Sequence, residues 1–589
     1  MLVLGINCYS HDSSAALLDG ERIVFAAAEE RFSRIKKDRG FPVQAIRAAL
    51  DHAGVELRDL DAVAFGWNRP GATPLHSFRQ ALRGEIARSA YWTWFQLLEA
   101  AREQVHGCGR RRLRREFGRE AAPLLYIDHH EAHAWSAFAL SGFDDALVLV
   151  LDGRGGWQAT TIYHGREGRL LPRRVYPYPQ SLGLFYEAFT DLLGFERLAD
   201  EWKVMGLAAY GRPTVDLRAY CRRTRHGYRV NGKELVGRHW SDLSYLLERF
   251  GPRRNPEEHI SQQDKNLAAA VQQATEEALF SVVHEGVRRT GSRNLCLAGG
   301  VAMNSKANGK LLTSGLIDRI FVQPAATDDG TALGAALGAY AALGQAVPRA
   351  VMEDAYFGPE YGEQEIEAAL RAYKLPWRRV CDVTRVTARL LCQGQIVGWF
   401  QGRVEFGPRA LGNRSILADP RRAEMKDRVN ESVKFREGWR PFAPSCLEER
   451  MAEYFTPAHP SPFMILTFDV RPDKRDVIPA VTHADGSARV QTVGREVNPR
   501  YWELIAEFDR LSGVPVLLNT SFNLRGEPIV CSPKDAIRTF YSSGLDFLVL
   551  GDFVVTKGGR GHDLLDQALT AEPAVGPRPR KKAVAAARP

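Results

Sequence analysis

The chain is 589 residues long, 45% hydrophobic and 25% charged. That composition is ordinary for a soluble globular protein, and the length exceeds what one hydrophobic core supports, so two or more domains are expected. No apolar run approaches the roughly 18 residues that cross a bilayer, so no membrane span is expected.

The formal charge is +9, of which residues 571–589 supply +4 through five basic residues and one Glu, leaving +5 elsewhere. Residues 561–589 are rich in Ala, Pro and Arg and are expected to form a basic disordered tail. A second basic run comprises Arg110, Arg111, Arg112, Arg114, Arg115 and Arg119 and reads as a solvated face. No basic stripe is interleaved with aromatics, which argues against nucleic acid as a partner. The N-terminus runs straight into a strand-like segment, without a basic leader, so no signal peptide is expected. The eight cysteines are scattered and none forms C-x-x-C, which points to reduced thiols in a cytoplasmic protein.

Residues 2–7, 14–18 and 22–28 read as three strands joined by tight turns, and the first turn carries His11 and Asp12. A helix is expected over 41–52, a strand over 61–65, and a long apolar-rich helix over 84–104. A short strand over 124–127 leads into a helix over 129–140. His129 and His133 stand four apart there, among three histidines in five residues from 15 in the chain. On a helix such residues share a face, with Cβ atoms about 5–6 Å apart, and two imidazoles so placed can hold one metal ion. The strand 146–151 ends in Asp152-Gly153-Arg154-Gly155-Gly156, and 159–163 follows as the next strand. The strand–turn–strand unit therefore occurs twice, each copy with an acidic turn, which suggests two like halves enclosing a nucleotide. Helices are expected over 182–194 and 262–289. The strand 294–297 runs into Gly299, Gly300 and Asn304, a strand–glycine–helix junction of the kind that binds phosphate. The strand 320–322 leads to Asp328 and Asp329 and then a helix over 332–343.

Residues 346–362 contain two prolines and a mixed composition and read as a linker. Helices over 364–372 and 386–392 and a strand over 396–400 follow. Two Gly/Pro-rich segments, 402–415 and 433–444, hold Arg409, Lys434 and Arg440. Cationic side chains in such aperiodic segments point to an anion site. Arg489 precedes a strand-like stretch, and the strand 516–518 ends at Asn519 and Ser521. A helix over 534–543 and closing strands over 547–555 complete the reading. Neither G-x-x-x-x-G-K-[ST] nor G-x-G-x-x-G occurs, so any ATP chemistry needs another phosphate cradle.

The acidic hairpin turns, G-G-V-A-x-N at Gly299 and D-x-G-T-A-L-G at Asp328 resemble the actin, sugar-kinase and acetate-kinase (ASKHA) superfamily, and the histidine pair resembles its tRNA threonylcarbamoyl transferase branch. H-D-x-S-A-A-L at His11, E-E-R-F-S-R at Glu29, H-H-E-A-H at His129, K-V-M-G-L-A at Lys203, G-P-R-A-L-G at Gly407, K-x-R-E-x-x-R-P-F-A-P at Lys434 and L-N-T-S-F-N at Leu518 together resemble the NodU/CmcH-type O-carbamoyltransferases over nearly the whole chain. The resemblance implies an α/β protein with an ASKHA-type transfer domain over 1–345, and a YrdC-like domain over 363–560 that makes carbamoyl adenylate. It implies Fe²⁺ or another divalent transition metal at His129, His133, Asp152 and Asp328, with Asp329 the alternative to Asp328. It implies nucleotide contacts at Gly299, Gly300 and Asn304. It also places ATP with Mg²⁺, and carbamoyl phosphate, at Arg409, Lys434, Arg440, Arg489, Asn519 and Ser521. His11 is the candidate base and Asp12 either orients it or binds substrate, while Glu29, Arg31 and Lys36 are expected to line the acceptor pocket. The implied partner is a small-molecule hydroxyl acceptor whose identity the residues do not encode. Oligomeric state is open, a homodimer included. Two rival readings are a tRNA-modifying enzyme of the threonylcarbamoyl type and an actin-like ATPase; the second leaves Arg409, Lys434 and Arg440 unexplained.

Overall fold

The computed structural model describes residues 1–68, 109–118, 122–235 and 242–570. The first part of the chain builds two five-stranded sheets. One has the spatial order Arg22–Ala28, Ser14–Asp19, Leu2–Asn7, Ala62–Phe65, Leu124–Tyr126. The other has the order Arg169–Pro177, Gln158–Arg166, Asp145–Gly155, Asn294–Ala298, Arg319–Val322. In each, the first three strands along the chain form an antiparallel meander, and the fourth and fifth add in parallel on the other side of the first. Order and sense are the same in both sheets, so the two like halves expected from the doubled unit are present as an actin- and sugar-kinase-like pair.

The helices that follow each sheet pack against each other between them. His129–Phe138 leaves the first sheet and Gly330–Ala342 the second. The approach is close: a Cβ on Gly334 would lie 1.7 Å from the carbonyl oxygen of Ala132. Gly330–Ala342 is buried along almost its whole length, as a helix that is apolar on every side must be. This packing brings the N-terminal ends of both helices to one place, and those ends carry His129, His133 and Asp328.

The second part of the chain builds an eight-stranded mixed sheet and a three-stranded sheet. Its central strands Val397–Phe400, Arg414–Ala418, Val516–Ser521 and Ala443–Leu447 are largely buried. Two of them, Arg414–Ala418 and Ala443–Leu447, begin at the ends of the Gly/Pro-rich segments, where periodicity offered no strand signal.

Several elements differ from expectation. The strand expected to stop at Leu151 continues to Gly155, with a break in register between Leu151 and Gly155 that holds Asp152, Gly153 and Arg154. Arg169–Pro177 is an unpredicted strand; it is a partly exposed edge strand carrying three arginines, and charged side chains on an edge block further pairing. The helix expected over 41–52 is Val43–Ala53, entered from Pro42. The segment read as a linker has no helix but is firmly bonded, since Ala26 N–H donates to Phe357 O at 3.0 Å and Phe406 N–H to Ala355 O at 2.7 Å. The tail expected to be disordered from residue 561 begins instead with a helix, Arg560–Thr570. That helix buries Leu565 and Ala568, and its Ala568 carbonyl accepts from Arg389 Nη1 at 2.6 Å. The helix expected over 84–104 lies outside the described residues.

Candidate active site

His129 and His133 occupy the first and second turns of their helix, which is capped by the Asp128 side chain accepting from Glu131 N–H. His129 Nε2 lies 3.5 Å from Asp152 Oδ2 and 3.5 Å from Asp328 Oδ1, and His133 Nε2 lies 3.7 Å from Asp328 Oδ1. One ligand atom from each of the four residues falls within 4.8 Å of all the others. Asp152 is aimed there by the break in its strand, the usual use of a bulge. The His129 Nδ1–H donates to Gly66 O at 3.2 Å, which fixes the tautomer that leaves Nε2 as a lone-pair donor. Both Nε2 atoms are buried without a hydrogen-bond partner, a costly arrangement that an ion between them would satisfy. The two-nitrogen, two-carboxylate set suits a divalent transition metal. Without an ion, burial opposes charge on His129, but Asp328 and Asp152 outweigh it and push the imidazole up to about 10. Asp329 turns away. It accepts from Thr327 Oγ1 at 2.6 Å and Gly330 N–H at 3.1 Å as the cap of its helix, and burial followed by Asp12 pushes its carboxyl up to about 7.

The first hairpin turn touches this group directly, because the His11 backbone N–H donates to Asp328 Oδ2 at 3.1 Å. The His11 ring is occupied at both nitrogens: Nδ1 is 2.7 Å from Asp12 Oδ2 and Nε2 is 2.6 Å from Leu198 O. Burial disfavours the imidazolium, yet Asp12 prevails and raises His11 to about 9.

The glycine junction is built differently from a phosphate loop. Gly299, at φ +89°, lies so close to the preceding sheet that a Cβ would meet Leu151 O at 2.2 Å. The Gly300 N–H donates to Asp152 Oδ1 at 3.3 Å, so its amide orients a member of the His/Asp group. Asn304 caps Ser305–Thr313 through Ala307 N–H and exchanges hydrogen bonds with Gln272. Gly300 and Asn304 face the cavity described below; Gly299 does not.

In the second part of the chain, Lys434 Nζ donates to Ser521 O, and to Asn523 Oδ1 at 2.8 Å and Asn523 O at 3.1 Å. Burial, then Arg436 and Arg440, holds this amine well below the usual lysine range. The Nε atoms of Arg409, Arg440 and Arg489 are buried without hydrogen-bond partners. Burial pushes Arg409 well below its ordinary range, with Arg489 adding to the effect, and burial lowers Arg489 to about 10. Uncompensated guanidiniums of this kind await an anion. Asn519 spends its amide nitrogen on Ala410 O, Ser445 Oγ and Gln491 Oε1, and only its Oδ1 is left without a partner.

A single cavity of about 1200 Å³ reaches both regions, and His11, Asp12, Asp152, Asp328, Arg409, Lys434, Arg440, Arg489, Asn519 and Ser521 all line it. His129 and His133 sit behind its wall, fully buried. Of the residues expected to line the acceptor pocket, Arg31 and Lys36 reach the cavity and Glu29 does not; what sequence reasoning missed is that Arg31, with Arg34, joins the two parts. Glu29 is a structural cap that accepts from Gln44 and Ala45 N–H. Arg31 reaches across to Gly407 O at 2.8 Å, and Arg34 to Ile529 O and Pro528 O at 2.6 and 2.8 Å. The only advance signal was the charged cluster E-E-R-F-S-R itself.

The carbamoyltransferase N-terminus family model matches residues 2–337 and the carbamoyltransferase C-terminus model residues 388–557. The chain is 41% identical to nodulation protein NolNO of Sinorhizobium fredii (strain NBRC 101917 / NGR234), over 94% of this chain and 80% of that one. It is 45% identical to nodulation protein NolO of Bradyrhizobium diazoefficiens, over 73% of this chain and 79% of that one. Among solved structures, T. kodakarensis HypF is similar at 14% identity and a TM-score of 0.33, over 58% of this chain and 48% of that one. Two family models that between them span both parts of the cavity's wall, and relatives matched over most of their length, establish that this enzyme belongs to the carbamoyltransferase family.

Proposed function

We propose that the chain is an ATP-dependent O-carbamoyltransferase that activates the carbamoyl group at the cationic end of the cavity and delivers it to an acceptor hydroxyl at the histidine end. The observation that carries this reading is the shared cavity: the buried guanidiniums of Arg409 and Arg489, without a carboxylate partner among the described residues, at one end, a buried His/Asp group at the other, and no wall between them.

In the activation step, Arg409, Lys434, Arg440 and Arg489 bind carbamoyl phosphate and ATP, the latter with Mg²⁺. Water hydrolyses carbamoyl phosphate to carbamate and inorganic phosphate, and a carbamate oxygen then attacks the α-phosphorus of ATP. Pyrophosphate leaves and carbamoyl adenylate remains. Lysine and arginine contacts stabilise the charge that builds on the phosphoryl oxygens in this displacement. Ser521 and the Asn519 Oδ1 hold the carbamoyl end.

In the transfer step, the adenylate faces His11 and Asp12, close to Gly300 and Asn304. His129, His133, Asp152 and Asp328 would hold a divalent ion, iron by resemblance, which supplies Lewis acidity for the developing oxyanion. The acceptor hydroxyl replaces Leu198 O at His11 Nε2, and the ring in its neutral form takes the hydroxyl proton while Asp12 steadies Nδ1. Because burial is outweighed by Asp12, which raises the ring to about 9, transfer quickens as pH rises toward that value. The hydroxyl oxygen bonds to the carbamoyl carbon and AMP departs. The test is exchange of labelled pyrophosphate into ATP that depends on carbamoyl phosphate, with a screen of hydroxylated compounds for a carbamoyl mass gain. Exchange that proceeds equally without carbamoyl phosphate would refute the reading.

A further inference from the structure

The wall that the first part of the chain contributes to the cavity includes a side chain the mechanism has not used. Trp202 lies in the short helix Glu201–Leu207, and its indole N–H donates to Ala199 O at 2.8 Å, which sets the tilt of the ring. The guanidinium carbon of Arg440 lies 3.9 Å from the centroid of that ring. Arg440 belongs to the opposite wall. Its Nη1 donates to Glu437 Oε2 at 3.3 Å, its Nε has no hydrogen-bond partner, and its side chain is 12% exposed. A guanidinium is planar, so an indole under one face and a carboxylate at one edge hold it in a single orientation.

The surrounding contacts keep the two walls in register. Tyr210 OH donates to Trp439 O at 3.0 Å. Lys306 Nζ pairs with Asp485 Oδ2 at 2.5 Å on the other side of the cavity. Asp200 pairs with Lys203 at 2.8 Å, and the Lys203 ammonium lies 5.8 Å from the centroid of the Trp202 ring, well outside the 3.9 Å approach of Arg440.

We propose that Trp202 is a positioning residue for the activation half-reaction: stacked on Arg440, it presents that guanidinium to the triphosphate of ATP, so that the second domain's chemistry depends on a side chain of the first. The inference rests on the activation step proposed above. It makes the indole's π-face, rather than its bulk, the operative feature, which separates it from a plain packing role.

The experiment uses the full-length chain and measures carbamoyl-phosphate-dependent ATP–pyrophosphate exchange for the wild type, Trp202→Phe and Trp202→Leu, with KM for ATP and kcat determined separately. Trp202→Leu should raise KM for ATP by about tenfold or more, and Trp202→Phe should stay within about threefold of the wild type, since both variants lose comparable bulk but Phe retains a π-face. Equal KM values for Phe and Leu, or a Leu variant indistinguishable from the wild type, would overturn the proposal while leaving the activation step intact. A wild type with no exchange at all would instead remove the activation step on which it rests.

Discussion

Arg31 Nη2 donates to the carbonyl of Gly407 at 2.8 Å, joining residues 376 positions apart, and so ties the short helix Glu30–Ser33, which follows the third strand of the first sheet, to the loop that carries Arg409. The loop is organised from the other side by Glu405, whose Oε1 accepts from the backbone N–H groups of Leu411, Asn413 and Arg414 at 2.8, 2.9 and 3.0 Å. Arg31 is buried and also pairs with Glu30. Arg31→Met removes a charged hydrogen bond and leaves a buried carbonyl bare, a loss of about 1–3 kcal/mol. Urea denaturation of the full chain should register that loss, and exchange should weaken with it. A variant with unchanged midpoint and unchanged exchange would show that the contact positions nothing.

The ion-binding geometry should be sensitive to a single methyl group. A Cβ at Gly155 would lie 2.4 Å from His130 Cδ2 and 2.8 Å from His129 Cδ2, so Gly155→Ala must push the His129 ring off Asp152 and Asp328. Disturbing what orients a ligand typically costs about 10–100-fold in metal affinity. Metal analysis of the purified wild type should find about one divalent ion per chain, and titration of the chelated variant should show the weaker binding. Equal affinity in both proteins would mean that the ion, if bound, is not held by His129.

Acid should weaken the fold through His483. Burial lowers its imidazole to about 4 against an ordinary 6.5, with Arg489 adding to the effect and Asp485 opposing it. The folded state therefore holds His483 neutral, while the unfolded chain takes up a proton below about 6.5. The sign follows: the contribution is fully present above pH 6.5 and is lost as pH falls toward 4. Denaturation midpoints measured at pH 7.5 and pH 5 should differ less in His483→Gln than in the wild type. An identical pH dependence would place the acid sensitivity elsewhere.

What the sequence made legible was local. His129 and His133 announce themselves because helical spacing alone puts them on one face, and the acidic residues that join them follow apolar strand runs, Asp152 in a register break and Asp328 beyond Val322. The doubling of the strand–turn–strand unit is likewise local in each copy. What stayed hidden depended on distant partners or on backbone direction. Asp328 and Asp329 are adjacent and chemically alike, and only the helix start separates them, one facing the histidines and the other capping the helix. Gly300 read as a phosphate donor because its amide precedes a helix, but that amide is spent on Asp152, a residue 148 positions away. Trp202 carries no pattern of its own and Arg31 only the E-E-R-F-S-R cluster, which does not say where its partner is, since Gly407 and Arg440 lie in the second part of the chain.

The proton path places the last demand on the hairpin turn. His11 is held at Nδ1 by Asp12 and at Nε2 by the carbonyl of Leu198, a residue in the left-handed backbone region at φ +59°. That conformation is uncommon for a side-chain-bearing residue and recurs at functional sites. An acceptor hydroxyl must take the carbonyl's place for the ring to reach its proton. His11→Asn keeps a side chain of similar reach but cannot take up the proton, so transfer to an acceptor should fall by about 10²–10⁴-fold. Exchange should persist, because Arg409, Lys434 and Arg440 are untouched. Asp12→Asn retains the imidazole and loses its anionic partner, so it should impair transfer less than His11→Asn does. If the two variants transfer at the wild-type rate, the hydroxyl proton leaves by another route; if both lose exchange as well as transfer, the turn serves the fold of the whole cavity rather than the transfer step.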